Sequence, residues 1–250
     1  MKSPLNYLLL IMLLPLFMAC DDNCDYYQHD HYRVDIGTVI NPNLNSRFSF
    51  LLDNNQLIQV TETNVPSFIP KNGQRIIANY TILSETKADS TVTRNVKLNN
   101  AYTVLTKGIF NITPATQDSI GHDSIYIRDM WIGSDYLNIE FAYWGNNKTH
   151  YINLVSDASK VYTDGKTHLE FRHNGNGDTP TYYLRGIVSF RLKSLQPQAT
   201  ANSLDLVIHV KEPYHSVEKM YTITYNFGST PVLYKTADLN SLMQEVHEIH

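Results

Sequence analysis

The chain has 250 residues, 18% of them charged, and a formal net charge of −4. That acidic balance, with no cluster of Lys and Arg, argues against nucleic acid or anionic lipid headgroups as partners. With only two cysteines, Cys20 and Cys24, a disulfide-built fold is excluded as well.

Residues 1–19 differ from everything after them. Lys2 is their only charge, Tyr7 to Phe17 is apolar apart from Pro15, and the small residue Ala19 precedes Cys20. A basic start, a short apolar middle and a small residue before the cut are the parts of a secretory signal peptide. Phe17-Met18-Ala19-Cys20 resembles the lipobox of bacterial lipoproteins, with Phe17 where Leu is usual. The resemblance implies cleavage before Cys20, a diacylglycerol on its sulfur and an acyl chain on the new amine. Several chains hold a protein to a membrane where one alone is marginal. The alternative is a secreted protein in which Cys20 is incidental.

Residues 20–32 continue as an acidic tether, Asp21 to Tyr32, without apolar periodicity. Asp21 and Asp22 resemble the export signal that carries lipoproteins of some Gram-negative anaerobes to the outer face of the outer membrane. The expected location is therefore the outer membrane, lipid-anchored and surface-exposed, with periplasm-facing attachment as the alternative. Within the tether, His29 and His31 have Cys24, Asp25 and Asp30 beside them, which are donors a borderline metal accepts. A flexible segment has no second shell to fix such ligands, so no metal is assigned there.

From Arg33 the pattern is that of strands. Arg33 to Ile40 is followed by the Asn41-to-Asn45 turn; Arg47 to Leu52 and Gln56 to Val60 flank the hairpin turn Asp53-Asn54-Asn55. Arg75 to Leu83 alternates, and Thr91 to Leu98 and Ala101 to Leu105 follow a polar turn at Ser84 to Ser90. Five or six short strands suit a small OB-like barrel, assigned to residues 33–112. Lys107 to Trp144 is the hinge of the chain: its middle, Thr113 to His122, is polar and turn-prone. Beyond it, strands are expected at Ser124–Ile132, Tyr136–Tyr143, Lys148–Val155, His168–His173, Tyr182–Leu192, Leu204–Val210 and Met220–Phe227. That spacing predicts an antiparallel β-sandwich over 118–250. Only Ala237 to Val246 has helical periodicity, behind Asp238 as a cap. The fold class is all-β, in two domains of unrelated fold.

Several blocks resemble the NigD-like lipoproteins: Gly73 to Leu83, Leu105-Thr106-Lys107, Asp118 to Gly121, Trp131 to Phe141 and Ile152-Asn153-Leu154. Their order and spacing extend over nearly the whole mature chain. The resemblance implies an N-terminal OB-like domain and a C-terminal β-sandwich, the architecture read above from periodicity. It also implies an association with bacteriocin self-protection, and it supplies no catalytic residues.

Catalytic motifs do not stand out. There is no GxSxG elbow and no phosphate-binding loop. Asp129, Asp135 and Glu140 are near one another in sequence, but Asp135 and Glu140 fall on alternate faces of a strand. His247 and His250, with Glu245 and Glu248, do not form a zinc-peptidase pattern. Asn174 to Asp178, NGNGD, is a single copy and reads as a hairpin turn rather than a calcium loop. The aromatic excess is more informative: 17 Tyr and two Trp, with Trp131, Tyr136, Phe141, Tyr143 and Trp144 close together. Trp131, in phase with Ile125 and Ile127, and Phe141 are expected in the core, leaving Trp144 as the exposed aromatic. The sequence thus points to a non-enzymatic, membrane-anchored binding or scaffold module with a protein or glycan partner and no cofactor. The competing class is an envelope hydrolase whose carboxylates meet only in the fold.

Overall fold

Strands whose two faces are both apolar announce a sheet covered on both sides, and Arg75-Ile76-Ile77-Ala78 is such a stretch. The structure, a computed structural model, describes residues 32–42, 48–88, 91–198, 202–227 and 239, all within one compact unit. Its first part is built from β1 (Tyr32–Ile40), β2 (Ser49–Leu52), β3 (Leu57–Thr63), β4 (Arg75–Ala88) and β5 (Thr91–Thr103). They pair in the order β1-β2-β3-β5-β4 and close into a barrel, with β3 and β5 the one parallel pair. This is the OB-like barrel expected.

Inside it lie Val39, Phe50, Ile58, Ile76, Ala78, Tyr80, Val96 and Leu98. Ile77 and Ile36, on the opposite face, are buried as well, against the second part of the chain. Gly37 permits the curl: a Cβ there would lie 2.8 Å from the Leu51 carbonyl oxygen. Two details differ from expectation. The polar stretch at Ser84 is not a turn, because β4 runs on to Ala88; and Thr91 to Thr103 is one strand, its register shifting opposite Asn79 and Ser84. The bulges absorb the break in alternation that suggested two strands.

The second part is a sandwich. β6 (Leu105–Lys107), β7 (Ile109–Ile112) and one turn of helix, α1 (Gln117–Ile120), precede β8 (Tyr126–Gly133), β9 (Tyr136–Gly145), β10 (Tyr151–Asp157), β11 (Thr167–Asn174), β12 (Tyr182–Arg191), β13 (Ser203–Val210) and β14 (Lys219–Asn226). One sheet has the order β14-β13-β11-β10-β7, the other β6-β12-β9-β8. Most neighbours are antiparallel, while β7, β6 and β13 pair in parallel with β10, β12 and β11. β6 and β7 place the strand boundary earlier than residue 112: they add to the edges of the two sandwich sheets, and the chain switches sheets at Gly108. Strands this short take their partner from the edge on offer rather than from a hairpin turn.

Leu137, Ile139, Phe141, Ile152, Leu154, Phe171, Phe190, Leu206, Ile208 and Val210 fill the space between the sheets. Trp131 is buried but not there. A bulge between Ile127 and Asp129 inverts the phase of β8, so Ile127 and Met130 face inward while Trp131 turns outward. It packs with Val34, Ile36, Ile77, Val104, Ile187 and Leu239 between barrel and sandwich. Leu239, helical and buried, is the one described residue of the helix expected at 237–246.

That junction has a polar centre. Arg75, fully buried, donates from Nη1 and Nη2 to both carboxylate oxygens of Asp53 and from Nη2 to Asn138 Oδ1 at 2.9 Å. Asn138 in turn donates to Asp53 at 3.0 Å and accepts from Ser189. The guanidinium lies 4.4 Å from the centre of the Tyr136 ring. Gly133 is required beneath this group, since a Cβ would fall 2.1 Å from an Asp53 oxygen. Three donors converge on the two Asp53 oxygens, a bidentate geometry in which a buried charge is tolerated, while Arg75 Nε, also buried, has no partner among the described residues.

Candidate functional site

Strand β9 carries two different surfaces on one face. Side chains alternate, so Asn138 and Trp144 point the same way, six residues and roughly 20 Å apart. Asn138 lies under the barrel, whereas Trp144, at the far end of the strand, is 48% exposed. The sequence had set it apart as the exposed aromatic, and Phe141 lies in the sandwich core as expected.

Around Trp144 the outer face of the four-stranded sheet is aromatic. Tyr183, its register partner on β12, has its ring 5.4 Å away; Tyr126 on β8 meets Tyr183 edge-on at 5.9 Å. The Tyr126 hydroxyl reaches Trp144 and Tyr214. Tyr214 itself is 96% exposed and holds φ at 64°, the left-handed region that a bulky aromatic seldom occupies. A cavity of about 410 Å³ opens between these rings and the loops at the end of the sandwich. Its lining includes Asp123, Ser124, Tyr143, His150, His173 and Asp178.

The floor is a proton-holding chain. His173 Nδ1 is 3.1 Å from the Ser124 carbonyl oxygen, His173 Nε2 is 2.8 Å from His150 Nδ1, and His150 Nε2 is 3.1 Å from Asp178 Oδ2. A carbonyl and a carboxylate can only accept, so the outer two ring nitrogens carry hydrogens. The contact between the rings needs one more, and the pair therefore holds three protons and one positive charge, set against Asp178. Burial, helped by the neighbouring His150 ring, lowers the His173 pKa to about 4. Asp178 is held far below the usual carboxylate range, first by the Asn146 amide and then by His150, Thr179 and Asn147 donors. The loop that delivers it, Asn174 to Asp178, is the turn expected, with Asn176 and Gly177 both at positive φ. Gly145 lets the pair come close: a Cβ there would lie 2.9 Å from His150 Nε2.

All four ring nitrogens are thus engaged within the protein. Tyr143 is different. Only 5% exposed and packed 4.3 Å from the His150 ring, it lines the cavity, and among the described residues its hydroxyl has no hydrogen-bond partner.

β11 supports a second chain at its other end, on the outer face of the same sheet. His168 Nε2 contacts Asp164 at 3.0 Å, His168 Nδ1 meets His209 Nε2 at 2.8 Å, and Glu218 lies 3.5 Å from His209 and 3.1 Å from His122. Tyr162 stacks on His168 at 3.6 Å. Burial lowers the pKa of His209 and of His122, the latter also through Arg172. Among the described residues no group of three or more His, Cys, Asp or Glu is arranged to hold a metal ion.

The carboxylates singled out in sequence are each bound elsewhere. Glu140 accepts from Arg185, Asp135 accepts from Tyr225 at 2.6 Å, and Asp129 accepts from the Met130 amide. Cys20, Cys24, His29, His31, His247 and His250 lie outside the described residues. Sequence reasoning missed the two histidine chains, because their members come from β11, β13 and the loops around Ser124, His150, Asp164, Asp178 and Glu218.

Two family models match the chain: the NigD-like N-terminal OB domain over residues 36–104 and the NigD-like C-terminal beta sandwich domain over 108–225. Among solved structures, a protein of unknown function from Bacteroides vulgatus is 28% identical, with a TM-score of 0.69 over 84% of this chain and 97% of its own. A protein described as toxin-related, from Parabacteroides distasonis, is 32% identical, with a TM-score of 0.66 over 79% and 94%. A NigD-like immunity protein from Bacteroides caccae shares the fold at 20% identity, TM-score 0.60, over 78% and 96%. No curated protein matches. With both domain models matched in order and the barrel and sandwich they describe present in the structure, the chain belongs to the NigD-like family.

Proposed function

We propose that this protein is a lipid-anchored, non-enzymatic binding module of the cell envelope, held by Cys20 and taking up its ligand at the aromatic end of the sandwich. The observation that carries the reading is the cavity beside Trp144 and Tyr214, rimmed by exposed rings and floored by histidines that have no nitrogen left for a substrate. Exposed aromatics around a concave site supply contact area at little entropic cost. A histidine acting as general base needs a free lone pair within reach of the proton it removes, and the two rings of the floor offer none. The lipobox and the acidic residues behind it support attachment to the outer membrane with the domains facing outward. Bacteriocin self-protection, implied by the family resemblance, is then exercised through the same contact surface.

Affinity capture from native envelope extract tests this, comparing the full-length protein with a Trp144→Ala, Tyr214→Ala double variant. The expected result is an envelope component retained by the first and lost by the second. Equal retention by both would move the binding surface elsewhere, and turnover of an envelope glycan or peptide by the purified protein would overturn the non-enzymatic reading.

A further inference from the structure

Resting on that reading, the geometry points to a neutral sugar ring, a pyranose unit of an envelope glycan, as the ligand of the cavity. Three features select this chemistry together. The walls are aromatic faces and edges, which pack against the C–H face of a sugar as they do against other apolar surface. The floor carries polar groups open to a ligand: the hydroxyl of Tyr143, a residue only 5% exposed, has no partner among the described residues, and the exposed Asp123 spends one oxygen, Oδ2, on the Gly175 amide. A ligand that covers this hydroxyl takes it from solvent and has to supply a hydrogen bond in return, and a ring bearing hydroxyls beside an apolar face meets both requirements at once.

The third feature is charge. Among the described residues no Lys or Arg lines the cavity, and the His150–His173 pair in its floor already faces Asp178. Lys148 nearby donates to the carbonyls of Asn176 and Gly177. A phosphate, sulfate or carboxylate would therefore meet acidic groups without a free countercharge, and a neutral sugar does not. The size agrees: 410 Å³ is at the small end of ligand cavities, which span about 300–1,000 Å³, and holds a compact ring system rather than an extended chain. Tyr214 stands at the rim. Its left-handed backbone is a local strain of the kind that persists at ligand clamps, here spent on projecting an exposed ring over the opening.

The test uses the full-length protein in a detergent without a sugar headgroup, titrated with a panel of neutral methyl pyranosides and oligosaccharides. Tryptophan emission reports directly, because Trp131 is buried at the junction and Trp144 stands at the cavity. At least one neutral glycoside is expected to give a saturable change in emission. Tyr143→Phe, which removes only the floor hydroxyl, should weaken that binding about tenfold, the loss of one hydrogen bond to a buried ligand group. His168→Gln, on the outer face, should leave it unchanged. Saturation by a proline-rich peptide but by no glycoside would overturn the sugar assignment while leaving the binding reading in place. Affinity unaltered in Tyr143→Phe would also overturn it, since the floor would then not touch the ligand. Silence from glycosides, peptide and envelope extract together would overturn both readings.

Discussion

The two ends of β9 solve opposite problems. At Asn138 the strand is buried under the barrel, and every polar group of the Asp53–Asn138 pair is directed at a partner; at Trp144 the same face is open, aromatic and edged by a strained tyrosine. The junction contains a buried ion pair whose carboxylate is met by three donors from within the protein, with only Arg75 Nε left over, whereas the Tyr143 hydroxyl faces the cavity and has no partner among the described residues. Polar groups turned on one another mark a surface made for holding the chain together. Polar groups turned to a cavity, beside exposed rings, mark a surface made for something else.

If that contrast is right, substitutions at the two ends should separate stability from binding. The largest effect is expected at the junction. Arg75→Ala leaves the Asp53 carboxylate without its countercharge and with only the Asn138 amide as a donor, and breaking one partner of such a pair costs about 3–5 kcal/mol. Denaturant unfolding should show a midpoint shift of that size, while Trp144→Ala, at a half-exposed site, should stay within about 0.5 kcal/mol of the parent. Comparable losses from the two variants would erase the distinction.

The histidine floor should contribute an intermediate, pH-dependent amount. The folded-state pKa of His173, about 4, lies below the ordinary imidazole value, so the unfolded chain takes up this proton first. Stability from the neutral ring is therefore complete above about pH 6.5 and is lost as the pH falls toward 4, by about 2–3 kcal/mol. His209 and His122, also held low, add slopes of the same sign. The difference between parent and His173→Gln isolates the one ring: the variant should lose less stability between pH 6.5 and 4. Parallel pH profiles would mean that His173 is not the neutral member of the pair.

How much of this was legible beforehand follows the same division. The blocks that carry the family resemblance build the junction: Arg75 and Ile77 come from one, Trp131, Gly133, Tyr136 and Asn138 from another. Each block is contiguous, so its strand period, its turn and its motif could all be read in one window. Nearly every strand was found for that reason, and Trp131 is a core residue as expected, although a bulge, invisible in composition, reversed the phase of β8 and put it at the junction instead of between the sheets. None of the residues lining the cavity lies in those blocks. They are gathered from β8, β9, β11 and the loops around Asp123, His150, Asp178 and Tyr214, and no local pattern encodes a distance between loops.

Tyr214 offers the sharpest separation, with the smallest energy. A non-glycine residue in the left-handed region carries a cost that glycine does not, of about 1 kcal/mol at an exposed site. Tyr214 is almost wholly exposed, so its ring returns little packing energy to the fold. Tyr214→Gly should therefore raise stability by about 0.5–1 kcal/mol, net of the extra freedom glycine gives the unfolded chain. The same variant should retain less of the captured envelope component, because it removes one wall of the cavity. A residue whose removal stabilises the protein and weakens its binding is kept for the binding. A Tyr214→Gly protein less stable than its parent would instead make the ring a structural prop and remove the strain from the account of the site.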